Sequence, residues 1–129
     1  MINVIVSADP RYKINKNSIR FVVAQALQVY RISGRVEVGV NIIGDRKMHE
    51  LNKKFRGIDS TTDVLSFALE DSGKLGFIAA PDKWLRLGDI VISYPQALED
   101  ASSEGISVDE EIRFLVEHGV NHLLGIHHA

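Results

Sequence analysis

Apolar and polar positions along the chain follow two periods, one of strands and one of helices. Residues 2 to 7, INVIVS, read as a first strand, closed by Asp9-Pro10. From about residue 16 to 32, Ile19, Val22, Val23, Ala26, Leu27 and Tyr30 recur at helical spacing, and Ser33-Gly34 stops the pattern. Val36, Val38 and Val40 alternate with Glu37 and Gly39 and run into Ile42-Ile43, which predicts a second strand. Asp45 is placed to cap a short helix that carries Met48, Leu51 and Phe55 inward. Residues 64 to 69 and 89 to 93 are β-rich. Between them, 70 to 86 contains Gly73, Gly76 and Pro81 and reads as a loop or irregular hairpin. Pro95 suits the first turn of a helix that reaches about Ser102, and Gly105 breaks it. Ser107 and Glu110 have the spacing of a capping box. They open a last helix whose stripe is Ile112, Leu115, Val116, Gly119, Val120 and Leu123.

The order β-α-β-α-β-β-α-α predicts an α+β fold, with a mixed sheet of about four strands packed with helices. A length of 129 residues fits one domain over 1–129. No apolar run nears the 20 residues of a membrane span. The N-terminal stretch lacks the basic-then-apolar order of a signal peptide, so the cytoplasm is the expected compartment. The absence of cysteine excludes disulfides and thiolate metal sites. A net charge of −2 gives no bulk attraction to nucleic acid, so RNA contact must come from a local patch. The densest is Arg46, Lys47, Lys53, Lys54 and Arg56. Without further support such a run is an ordinary solvated face.

The C-terminal run HGVNHLLGIHH carries most of the chemistry. His118 and His122 are four apart and share a helix face. Gly125 offers a C-terminal stop, past which the chain can fold back and bring His128 to the same point. Three neutral imidazoles around one divalent ion, with a fourth position open to water, form the layout of a catalytic zinc site. The alternative is a histidine-rich helix end that complements the helix dipole. Zinc proteases read HExxH, with a glutamate base after the first ligand. Here that position is Gly119, and Glu117 points about 100° away around the helix. A metal-activated water without that base suits a substrate carrying its own charge, such as a phosphodiester.

HGVNHLLGIHH resembles the HGxLHLxGxDH signature of the YbeY-type endoribonucleases, the bacterial rRNA maturation factors. Phe55-Arg56, Asp59 and Thr62-Asp63-Val64-Leu65-Ser66-Phe67 resemble that family's YRxxDxxTDVLSFP stretch. Leu87-Gly88-Asp89-Ile90-Val91-Ile92-Ser93 resembles its LGDIxIS strand. The match runs from about residue 36 to 128. It implies a zinc-dependent endoribonuclease acting on single-stranded RNA, linked to maturation of the small-subunit (16S) rRNA 3′ end and to ribosome quality control, with ribosomal small-subunit components as partners. The chain departs from the pattern at His127, where the family has aspartate, and at Ala68, where it has proline. It also stops at Ala129, where relatives usually continue, so either a truncated chain or a short natural form is expected.

The expected site is therefore one Zn²⁺ per chain on His118, His122 and His128, with the choice between His127 and His128 open although spacing favours His128. Arg56 is expected to grip the scissile phosphate, making it and His118 the catalytic residues. Lys53, Lys54 and Ser66 are expected at the substrate. Ser66 is otherwise an edge hydroxyl. Asp63 is read as a hydrogen-bond partner that orients a ligand imidazole, or as a turn or cap. Asp89 is read as a structural turn or backbone partner, His49 as solvated, and Trp84 as a loop or core anchor. Two rivals remain: a metallo-hydrolase of another class, such as a peptidase or amidase, and a non-catalytic ribosome-assembly factor whose metal is structural.

Overall fold

The computed structural model describes residues 1–32, 34–69 and 85–125. The elements run β1 (Ile2–Ala8), α1 (Lys16–Val29), β2 (Val36–Ile43), α2 (Asp45–Arg56), β3 (Val64–Ala68), β4 (Leu85–Ser93), α3 (Tyr94–Glu104) and α4 (Val108–Leu123). The four strands form one mixed sheet in the order β1-β2-β4-β3. β1, β2 and β4 are parallel, and β3 closes one edge antiparallel to β4. The expected α+β order holds.

The strand period of two splits the core between the faces of the sheet. Val36, Val38, Val40, Ile42, Ile90 and Ile92 face α1 and α4, which contribute Ile19, Val23 and Leu27, and Ile112, Leu115, Val116 and Val120. The opposite face carries Ile43, Leu65, Phe67 and Val91, covered by Met48, Leu51 and Phe55 of α2. All eight residues of β2 are buried, Glu37 and Asn41 included. The alternation with Glu37 therefore does not mark a solvated face. β2 lies between two parallel neighbours in a sheet covered on both sides.

Several boundaries shift for local reasons. α1 starts from Asn15, whose side chain accepts from the Ser18 N–H, and ends at Val29 rather than 32. Arg31, at φ 57°, turns the chain out of the helix. Gly44, not Asp45, caps α2. The Asp45 carboxylate instead accepts from Thr61 Oγ1, Ser93 Oγ and Gln96 Nε2 at 2.9, 2.6 and 2.9 Å. Burial opposes its charge, but these three donors win and hold its pKa below the usual value. Arg56 is the last residue of α2, and Gly57 follows it as the C-cap. β4 begins at Leu85 rather than 89. The predicted loop or hairpin, up to residue 84, and Trp84 lie outside the described residues. No helix among the described residues is long and apolar enough to cross a membrane.

Candidate functional site

α4 is placed by its cap and by two glycines. Ser107 and Glu110 form the complete capping box. A Cβ added at Gly119 would lie 2.8 Å from Ile90 Cγ2, so only glycine lets the helix settle this close to β4. Across the contact, a Cβ at Gly88 would lie 2.8 Å from Leu123 Cδ2. Gly88 follows a register shift that opposes Leu87 to no residue of β2, and its φ of 144° belongs to glycine. The helix and the LGD segment thus meet through small residues on both partners. The seat also explains the missing protease base, because the HExxH glutamate would have to occupy the space Ile90 fills.

His118 flanks this seat and is half-buried, and His122 is exposed one turn on. Their ring centroids are 4.5 Å apart with planes at 53°. Leu124 is the C-cap, and Gly125 follows at φ 76° with its N–H on the His122 carbonyl, as the glycine stop required. His127 and His128 lie outside the described residues.

Residue 66 joins the helix side of the site to the sheet edge. Ser66 pairs with Ile90 across the β3–β4 ladder, so its side chain leaves the sheet on the α4 face, beside the seat of Gly119. Its carbonyl accepts from Arg56 Nη2 at 2.9 Å. The Arg56 guanidinium also lies over the Phe67 ring, 5.0 Å from the centroid. A long, exposed side chain is thereby held at two points. Lys53 and Lys54 sit in the same last turn of α2, where cations complement the helix dipole. His49 is not merely solvated, since its Nε2 meets Asp59 Oδ1 at 2.7 Å.

Two clusters escaped the sequence reading. Arg86 bridges Glu37 at 3.1 Å and both oxygens of Asp89 at 2.9 and 3.0 Å, with all three side chains buried. Asp89 is therefore an ion-pair partner rather than a turn residue or backbone partner. The Gly39 backbone makes room for its carboxylate. The second cluster is acidic. Burial, then a hydrogen bond with Asp63, pushes Asp100 up to about 6. Burial, then a hydrogen bond with Glu104, pushes Glu111 up to about 7. Asp63 thus turns its carboxyl to Asp100 on α3, while its carbonyl accepts from the Ser93 N–H. A buried carboxyl inside the α4 stripe is invisible to periodicity.

Among the described residues no group of three or more His, Asp or Glu side chains is placed to hold a metal ion. His118 and His122 offer two adjacent imidazole donors, a chemistry that fits zinc and leaves the remaining ligand to the chain beyond Gly125.

Residues 6–129 match the family model described as Endoribonuclease YbeY. A protein named Endoribonuclease YbeY from Roseiflexus castenholzii is 40% identical over 125 residues, covering 95% of this chain and 77% of its own. One of the same name from Chloroflexus aurantiacus is 40% identical over 123 residues, covering 95% and 79%. A solution structure of a Thermotoga maritima protein superposes with a TM-score of 0.60 at 26% identity, covering all of this chain and 75% of that one.

Proposed function

Because the chain belongs to the YbeY endoribonuclease family, we propose that it is a zinc-dependent endoribonuclease. Its substrate is single-stranded RNA, in 3′-end maturation of 16S rRNA and in ribosome quality control, alongside small-subunit components in the cytoplasm. The observation that carries this reading is residue 66, which presents its hydroxyl beside the histidine helix and its carbonyl to Arg56.

His118, His122 and His128 would hold one ion. When bound, zinc supplies Lewis acidity and an activated water near neutral pH. The chain's own residues do the rest. Arg56, fixed by the Ser66 carbonyl and the Phe67 ring, binds the non-bridging oxygens of the scissile phosphate and stabilises the charge that grows there. Lys53 and Lys54 hold flanking phosphates. The Gly119 seat argues against peptidase or amidase chemistry of the HExxH type, because no base can enter at that position.

The test compares wild type with His118→Ala from the same preparation, on a single-stranded RNA with added zinc. Internal cleavage by the wild type alone, abolished by a chelator, is expected. Equal cleavage by both would expose a contaminating nuclease and favour the assembly-factor role. Arg56→Lys should fail to restore the rate lost in Arg56→Ala, since an ammonium lacks the planar fork. Wild-type rates in Arg56→Ala would remove the arginine from the reaction.

A further inference from the structure

A cavity of about 670 Å³ opens at the carboxyl ends of β1 and β2, where the chain enters α2. None of the histidines lines it, and about 18 Å of the 12-residue α2 separate its start from Arg56. Its volume is that of a site for a small organic ligand. The unsatisfied groups around it have one sign. Asn41, only 8% exposed, accepts from Ser7 Oγ at 2.6 Å, and its Nδ2 has no hydrogen-bond partner. An unpaired buried amide donor is costly unless something completes it. The first turn of α2 begins here with glycine as its cap, so among the described residues no side chain caps its N–H groups. A Cβ at Gly44 would lie 3.1 Å from Tyr12 Oη and 3.2 Å from Arg11 Nη2, so the glycine keeps this terminus closely cradled. Lys47 adds an exposed ammonium to the wall.

The acids of the cavity are already occupied. Asp9 accepts from Arg11 Nε and Nη2 at 3.0 and 2.8 Å, which holds its carboxyl below the usual range. Asp45 is taken up by Thr61, Ser93 and Gln96. Glu50 meets Arg46 at 3.9 Å. What is left for a ligand is an amide N–H, a helix N-terminus and a lysine, a donor set that calls for an oxyanion.

We propose that this cavity is a second site, which binds the phosphoryl group of a nucleotide-sized ligand, either free or carried within an RNA strand. The phosphoryl oxygens meet the open N–H groups of the first turn of α2, the Asn41 amide and Lys47. The RNA alternative rests on the function proposed above, and the free nucleotide does not.

Amide NMR of the full chain tests it, with inorganic phosphate, AMP and a short single-stranded oligoribonucleotide as probes. Phosphate and AMP at millimolar concentration should shift the backbone amides of residues 44 to 47 and the Asn41 side-chain amide. Lys47→Glu, at an exposed position, should weaken that binding about tenfold. Asn41→Asp, of the same shape, should abolish it by turning a donor into a negative charge. If the oligoribonucleotide displaces phosphate from residues 44 to 47, the ligand is RNA; if it binds elsewhere while AMP binds here, the ligand is a free nucleotide. Shifts scattered over all basic side chains, or no shift at 44 to 47 with any probe, would overturn the site. Silence at 44 to 47 with phosphate and AMP, together with an oligoribonucleotide that shifts only the surroundings of Arg56, would overturn the site while leaving the endoribonuclease reading intact.

Discussion

A methyl group at Gly119 would press into Ile90 at 2.8 Å. Helix propensity alone favours Gly→Ala by about 1 kcal/mol. Overpacking a tight core contact costs about 1–3 kcal/mol. The second effect wins, so Gly119→Ala should destabilise the chain by about 1 kcal/mol, read as a lower urea midpoint at unchanged slope. Gly119→Glu, which recreates HExxH, should prevent α4 from seating and yield no peptidase. An increase in stability from Gly119→Ala would show that α4 stands further from β4. The sequence reads position 119 as lacking the protease base, but the packing there was not visible. The sequence displays a missing base, and only the packing displays the residue that occupies its space.

At the scale of elements, α3, α4 and the start of β3 are joined by four carboxyl groups, Asp63, Asp100, Glu104 and Glu111. Burial and mutual hydrogen bonds raise Asp100 from 3.8 to about 6 and Glu111 from 4.5 to about 7. The folded chain therefore binds more protons than the unfolded chain between those values. This contribution is fully present below pH about 4 and is lost as pH rises toward 7. Glu111→Gln should change stability at pH 5 by less than about 1 kcal/mol and raise it by about 2–3 kcal/mol at pH 8, since one pKa unit is worth about 1.4 kcal/mol. Denaturant titrations at the two pH values check this. A variant less stable at pH 8 would show the carboxylate to be favourably held. Local rules made much of this region legible: the capping box at Ser107, the left-handed Gly105 and the apolar stripe each follow from a few neighbouring residues. What joins distant segments was not legible. Asp45 has the residue type of a cap, yet Gly44 takes that place because the carboxylate is claimed by Ser93 and Gln96. Nothing near Glu37 in sequence marks it as buried, because its partner, Arg86, is 49 positions away.

For the molecule as a whole, the net charge of −2 sets the background against which, in the proposed function, α2 would attract RNA. Lys53, Lys54 and Arg56 can neutralise three phosphates at its end. Each phosphate contact on a single strand contributes about 0.7 to the logarithmic salt slope, so binding should fall with a slope of about −2. A slope steeper than about −5 would require a much larger cationic surface than this helix presents. The family signatures survive at this scale as separate physical tasks. One segment seats a helix, one carries a guanidinium around the edge strand, and one buries an ion pair. Their order along the chain was legible, but their meeting at Ser66 depends on the register of β3 against β4.

The close seat of α4 has a consequence for local breathing. Gly119 and Gly88 leave no slack between the helix and the sheet, so the turn bearing His118 cannot open unless the β3–β4 ladder parts with it. Deuterium should therefore enter the amides of Val116, Val120 and Ile90 at one common slow rate, that of global unfolding.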